Sequence, residues 1–224
     1  MKRIIEIFTL SLLMTAVLTL QSCNDDDDNA NIYYPTAVVT LKTNASTGAF
    51  YMQLDDSTTL VPTNVKTAPY GGKELRALVN YTLDNTTTAH DAKSVYVNWI
   101  DTIRTKPMVL SHGDDDATLY GSDPIDIVNS WATVVEDGYL TLRFRTLFGN
   151  GKPHVLNLVK GDGPYEVVLR HNANGDTQGY PADGMIAFRL DQLPDTQGKE
   201  VLLTVRWQSF TGERTATFKY RTRK

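Results

Sequence analysis

Only one cysteine, Cys23, occurs in the 224 residues. A lone thiol excludes an intramolecular disulfide framework and a cysteine-ligated metal cluster. Charge of one sign is also in short supply: the formal net charge is −4, and the chain beyond its first 28 residues is close to neutral. Phosphate-backbone binding needs concentrated Lys and Arg. The only local excess is Lys219, Arg221, Arg223 and Lys224, spaced as on the solvated side of a strand, so no nucleic-acid partner is expected.

Motifs that carry chemistry are missing as well. No G-x-S-x-G elbow presents a serine nucleophile, and no H-E-x-x-H supplies a zinc hydrolase site. The four histidines, His90, His112, His154 and His171, are scattered, with no two at ligand spacing. The chain is therefore expected to be non-enzymatic, with no catalytic residue, cofactor or metal. Two segments invite a calcium test, because hard cations need several oxygens converging within one loop. Asp114 to Asp116 has the oxygens but no glycine-turned loop, and reads as an interdomain linker. Asn172-Ala173-Asn174-Gly175-Asp176 alternates oxygen-bearing side chains, yet it lacks a following bidentate glutamate, and Asn-Gly is itself a hairpin-turn signal.

What is present begins with an address. Lys2 and Arg3 precede an almost wholly apolar stretch from Ile4 to Leu20, a secretory signal pattern that is short for a membrane span. Leu20-Gln21-Ser22-Cys23 follows and resembles the lipobox of bacterial lipoproteins, which accounts for an unpaired cysteine in a secreted chain. Residues 1–22 are thus expected to be removed and Cys23 to carry the lipid. Asp25 to Asp28 repel one another and cannot be buried, so residues 23–35 read as an acidic flexible tether. An acidic run directly behind a lipidated cysteine also resembles the surface-export signal of Bacteroidota lipoproteins. That resemblance implies a lipid anchor in the outer membrane with the protein facing the cell exterior.

From Thr36 onward short two-residue-period segments, rich in β-branched and aromatic residues, alternate with Gly, Pro, Asn and Asp turns, which predicts an all-β chain. Strands near Thr36 to Lys42, Ala49 to Leu54, Thr58 to Val61, Leu75 to Leu83 and Val95 to Arg104 make the size of a small Greek-key barrel. The break at His112 to Asp116 places the domain boundary between residues 113 and 114. Beyond it, Leu140, Leu142 and Phe144 alternate with Thr141, Arg143 and Arg145, and Val201, Leu203, Val205 and Trp207 repeat the pattern. One buried face and one wet face, in about seven strands that include one around Ile127 to Val134, favour a β-sandwich. Trp99, Trp131 and Trp207 lie in apolar contexts that suit core packing, whereas Tyr33, Tyr34, Tyr70, Tyr120 and Tyr180 lie in or near loops and are candidates for stacking on sugars.

These segments carry a resemblance. Tyr34-Pro35-Thr36-Ala37-Val38-Val39-Thr40, Phe50 to Asp56, Trp99 to Ile103, Asp123-Pro124-Ile125, Asp137-Gly138-Tyr139-Leu140 and Leu169 to Asp176 resemble the NigD-like lipoproteins of Bacteroidota across essentially the whole mature chain. The resemblance implies an N-terminal OB-like β-barrel over residues 36–113 and a C-terminal seven-stranded β-sandwich over 114–224. The family takes its name from an operon associated with bacteriocin production. The leading expectation is a surface lipoprotein that binds or shields against something outside the cell, such as a bacteriocin. A surface glycan-binding module and a structural component of an envelope assembly are the alternatives.

Overall fold

The computed structural model describes residues 37–84 and 91–223. The expected signal, Cys23, the acidic tether and His90 lie outside these residues. Five strands, β1 (Ala37–Thr43), β2 (Phe50–Gln53), β3 (Thr59–Pro62), β4 (Leu75–Leu83) and β5 (Ala92–Thr102), close into a barrel in the order β1-β2-β3-β5-β4. All pairs are antiparallel except β3 with β5. Val39, Leu41, Met52, Leu60, Ala77, Val79, Val95 and Val97 fill the interior. Asp55 turns the chain between β2 and β3 by accepting the backbone N–H groups of Ser57 and Thr58 through one carboxylate oxygen. On β1 the residues facing away from this core, Val38 and Thr40, are buried too. A strand buried on both faces must be covered from outside, and the second domain supplies the cover.

That second domain starts earlier than the charged break suggests. The strand β6 (Arg104–Pro107) pairs in parallel with β12 (Tyr180–Arg189) of the sandwich, so strand pairing crosses from one body to the other at Ile103, whose N–H donates to Arg76 O at 2.8 Å. The segment expected to be a linker lies inside the second domain, as a short 3-10 turn (Gly113–Asp115) and a one-turn helix, α1 (Asp116–Tyr120). Asp116 is buried, accepting from Ser111 Oγ at 2.8 Å and from the His112 N–H at 2.7 Å.

The sandwich has nine strands rather than seven. One sheet runs β10 (Val155–Lys160), β11 (Glu166–Asn172), β13 (Val201–Ser209), β14 (Gly212–Tyr220). The other runs β6, β12, β9 (Tyr139–Phe148), β7 (Asp126–Ile127), with β8 (Val134–Glu136) also paired to β9. The two extra strands are β6 and the division of the expected strand around Ile127 to Val134 into β7 and β8. Between the sheets lie Leu140, Leu142, Phe144, Leu158, Val167, Leu169, Phe188, Leu203, Val205 and Trp207, as the alternation predicts. On the outer face of β9, however, Thr141 is fully buried, because the barrel sits over it, while Arg145 farther along is exposed.

Gly184 on β12 marks a close approach within this core. A Cβ there would meet the Phe144 ring at 2.5 Å. Gly184→Ala is expected to cost about 1–2 kcal/mol and to lower the melting temperature by roughly 3–6 °C, with Phe144→Leu in the same chain restoring most of it. Thermal unfolding followed by circular dichroism reads both.

The barrel and sandwich are locked by apolar and polar contacts. Val38 and Ile103 pack with Ala132 and Ala187, joined by Leu78 and Met185. Beside them Arg76, with no exposed surface, donates from Nε to Thr141 Oγ1 at 3.1 Å, from Nη1 to Thr40 Oγ1 at 3.1 Å and from Nη2 to Glu136 Oε2 at 3.3 Å. The β8–β9 turn uses Asp137 and Gly138 at φ 49° and 73°, the Asp-Gly pairing that tight hairpins favour. Lys42 donates to Asp137 at 2.8 Å, and Tyr139 donates to Glu74 at 2.5 Å. Of the C-terminal cations Arg223 joins this lock, reaching Glu74 at 2.6 Å, while Lys219 pairs with Glu200 within the sandwich.

Candidate functional site

Where the barrel stops covering the outer face of the β6-β12-β9-β7 sheet, an open groove of about 410 Å³ remains. Leu78, Ile103, Ala132 and Met185, the apolar residues of the junction, form its base. Asp101, Arg104, Arg143 and Asp183 supply its polar rim, and Trp131 lines it as well. The volume falls within the roughly 300–1,000 Å³ range of small-ligand sites, and a junction between domains is where such sites concentrate.

Trp131 is 55% exposed, so the core role expected for it does not hold, whereas Trp207 is buried and Trp99 half-buried. The cause is local. Thr133 donates its N–H to Ser130 O at 3.0 Å and its hydroxyl to Val128 O at 2.7 Å. These bonds fold residues 128–133 into a turn and leave the indole outside the strand register. Next to it, Asp183 bridges two arginines, accepting from Arg143 Nε at 2.8 Å and Arg145 Nε at 2.5 Å. Hydrogen bonds from Arg145, then Arg143, outweigh desolvation and hold the Asp183 carboxyl below its ordinary range, so it stays an ionised acceptor near neutral pH.

A second cleft, of about 500 Å³, lies at the other side of the junction among Lys42, Tyr51, Gln53, Asp56, Asp137, Arg221 and Arg223. Its Lys42, Asp137 and Arg223 are engaged with one another and with Glu74. Of the loop tyrosines, Tyr33 and Tyr34 lie outside the described residues. Tyr70 and Tyr120 donate their hydroxyls to Ile100 O and Leu110 O, and Tyr180 is 85% exposed.

The histidines are less scattered than the sequence suggests. Strands β10 and β11 form a hairpin with Leu156 opposite His171, which brings His154 alongside, its Nδ1 at 2.9 Å from His171 Nε2. His171 Nδ1 faces only carbonyls, Pro124 O at 3.2 Å and Asp123 O at 3.3 Å, so that nitrogen carries the hydrogen. Nε2 of neutral His171 is then the acceptor and His154 Nδ1 the donor. At the far end His154 Nε2 faces Asp176 Oδ2 at 3.5 Å, and both residues are almost fully buried. The other Asp176 oxygen accepts the N–H groups of Gly149 and Asn150, each at 2.9 Å. Among the described residues no group of three His, Cys, Asp or Glu is placed to hold a metal ion.

The segment tested for calcium thus serves as an anchor for loops. Asn172 Oδ1 accepts the Asn174 N–H at 2.8 Å, and Asn174 Nδ2 donates to Pro153 O. Asn174 and Gly175 do turn the chain at positive φ, but β11 and β12 belong to different sheets, so the turn serves a crossover and not a hairpin.

Family models match both bodies: the NigD-like N-terminal OB domain over residues 38–103 and the NigD-like C-terminal β-sandwich domain over residues 106–220. The chain belongs to the NigD-like family. Among solved structures, it is 34% identical to a protein described as toxin-related from Parabacteroides distasonis ATCC 8503, covering 83% of this chain and 92% of that one at a TM-score of 0.68. It shares its fold with a NigD-like immunity protein from Bacteroides caccae ATCC 43185 (20% identity, 84% and 99% covered, TM-score 0.57). The same holds for a protein described as a lipoprotein from Bacteroides fragilis NCTC 9343 (16%, 84% and 99%, TM-score 0.53). No curated protein matches.

In this NigD-like chain the segments that carry the family resemblance do structural work. Asp123-Pro124 supplies the carbonyls that orient His171, and Asp123 also accepts the Ala173 N–H at 2.7 Å. Asp137-Gly138 makes the turn at the interdomain lock. Trp99 to Ile103 ends the barrel and leads into the sandwich, with Asp101 and Ile103 reaching the groove. Trp131, Arg143 and Asp183 lie outside all of those segments.

Proposed function

We propose that this NigD-like chain is a non-enzymatic, lipid-anchored binding protein of the bacterial envelope. The open junction groove, with Trp131 left half-exposed on it, carries the binding part of this reading. A large apolar side chain in water beside an open concavity is stabilised when a ligand covers it. The address rests on the lone Cys23 behind its apolar run and ahead of Asp25 to Asp28. Several acyl chains at about 0.8 kcal/mol per buried methylene would make attachment to the outer membrane permanent, with the body facing the cell exterior.

Metabolic labelling with an alkyne fatty acid tests the anchor. The wild-type chain is expected to take the label and Cys23→Ala to lose it, and proteolysis of intact cells should remove the wild-type body. An unacylated mature N-terminus would refute the address. The toxin-related description of the P. distasonis relative favours a second reading, protection against a bacteriocin. Under it, cells lacking the protein should become measurably more sensitive to the bacteriocin; unchanged sensitivity removes that reading.

A further inference from the structure

We infer that the junction groove is a saccharide site that takes a neutral hexopyranose unit, stacked on Trp131 and hydrogen-bonded by the Arg143–Asp183 pair; this deepens the binding-protein reading above. Three observations converge on that ligand. The first is the exposed indole, since the C–H face of a pyranose is apolar and a flat π-face complements it. Trp131 is 55% exposed while Trp207 is buried and Trp99 half-buried, so this ring has the most surface to offer.

The second is the arrangement of polar atoms. Arg143 Nη2 lies 2.6 Å from Asp183 Oδ2, and Arg145 Nη2 lies 3.1 Å from the same oxygen. Asp183 Oδ2 is filled by these donors, but Oδ1 accepts only Arg145 Nε, so one carboxylate lone pair and the remaining Arg143 N–H groups lie side by side along one edge, held in place before any ligand arrives. Vicinal hydroxyls each donate and accept, so a diol matches such an edge, and charge-assisted hydrogen bonds are the stronger kind. The third is charge. The lining charges cancel, Asp101 and Asp183 against Arg104 and Arg143. With Arg145 also on Asp183 behind the lining, a cationic peptide finds no net attraction there. The base of Ile103 and Ala132 is closed, at 4% and 3% exposure, which leaves a shelf for a ring and no deep socket for a peptide side chain.

The test uses the full lipoprotein in a detergent without a sugar headgroup, titrated with neutral gluco-, galacto- and manno-configured oligosaccharides by calorimetry and tryptophan emission. Saturable binding to at least one of these, with a shift in emission, is expected. Trp131→Ala should weaken binding about tenfold or more and Asp183→Asn by a similar factor, whereas Trp131→Phe, which keeps a stacking face, should retain most of it. Melting temperatures of the Trp131 variants should match the wild type, because the ring is exposed. Absence of saturable binding across the panel overturns the proposal, as does binding indifferent to Trp131→Ala, or a bacteriocin peptide occupying the groove in place of the sugar. Labelled Cys23 without saccharide binding would remove the ligand class alone; saccharide binding with Cys23 unlabelled would remove the anchor and leave the groove standing.

Discussion

Arg76→Ala is expected to destabilise the protein by about 3–5 kcal/mol and to split a single unfolding transition into two. Arg76 has no exposed surface and holds Thr40 on the barrel, Thr141 on the sandwich and Glu136 beside it. Truncation leaves Glu136 without its cation and two buried hydroxyls without their donor, and it opens a void where the side-chain stem packed. Burial already works against both charges. It pushes the Arg76 guanidinium below its ordinary value against the pull of Glu136, and it raises the Glu136 carboxyl, with Asp55 and Asp56 adding to the rise and Arg76 opposing it. The ion pair is therefore weak as a source of stability and costly to break on one side. Arg76→Met paired with Glu136→Leu, which removes both charges and keeps volume, should recover most of the loss. Urea unfolding followed by tryptophan emission and circular dichroism measures this. A single transition in Arg76→Ala within 1 kcal/mol of wild type, measured against the range expected for losing this buried guanidinium from its half-buried partner, would show that the apolar seam alone fuses the domains.

Much of the fold was legible from period and turn chemistry. Strand β4 runs from Leu75 to Leu83, the bounds its alternation predicts, and Leu140, Leu142, Phe144, Leu203 and Val205 face the core as expected. The candidate site was legible only in part, because it depends on long-range placement. Ile127 to Val134 has the composition of a strand, but Asn129 and Ser130 interrupt it, and the resulting turn turns Trp131 outward. Asp114 to Asp116 looks like a solvated linker until Asp116 is seen accepting two local hydrogen bonds. His154 and His171 sit seventeen positions apart, yet once the hairpin register is known they are diagonal neighbours across two strands. Arg143 and Arg145 read correctly as outward-facing. Their shared partner Asp183 lies on a strand whose pairing with β9 no local pattern announces.

The buried His171 should make stability depend on pH. Burial, and then the neighbouring His154, push the His171 imidazole below its ordinary value of 6.5, against the opposing hydrogen bonds to Asp123 O and Pro124 O. The unfolded chain therefore takes up a proton that the folded state refuses. Stability from this group is complete well above pH 6.5, falls as acidification passes that value, and levels off once the folded imidazole also titrates. Asp176 acts in a lower window. Burial raises its carboxyl, but the backbone N–H bonds of Asn150 and Gly149, with the facing His154 ring adding to their pull, outweigh that and hold it below 3.8, so its contribution is present above that value and disappears as the pH falls through the folded value. Between pH 8 and pH 5 the His171 contribution is separated from that of Asp176, since both limits lie well above the Asp176 range. Wild type should lose several degrees of melting temperature more than His171→Gln across that interval, because glutamine can still donate to the carbonyls and never titrates. Parallel melting curves for the two chains would mean that the folded protein accepts the proton at His171 without strain, with the donor order along Asp176, His154 and His171 reversed.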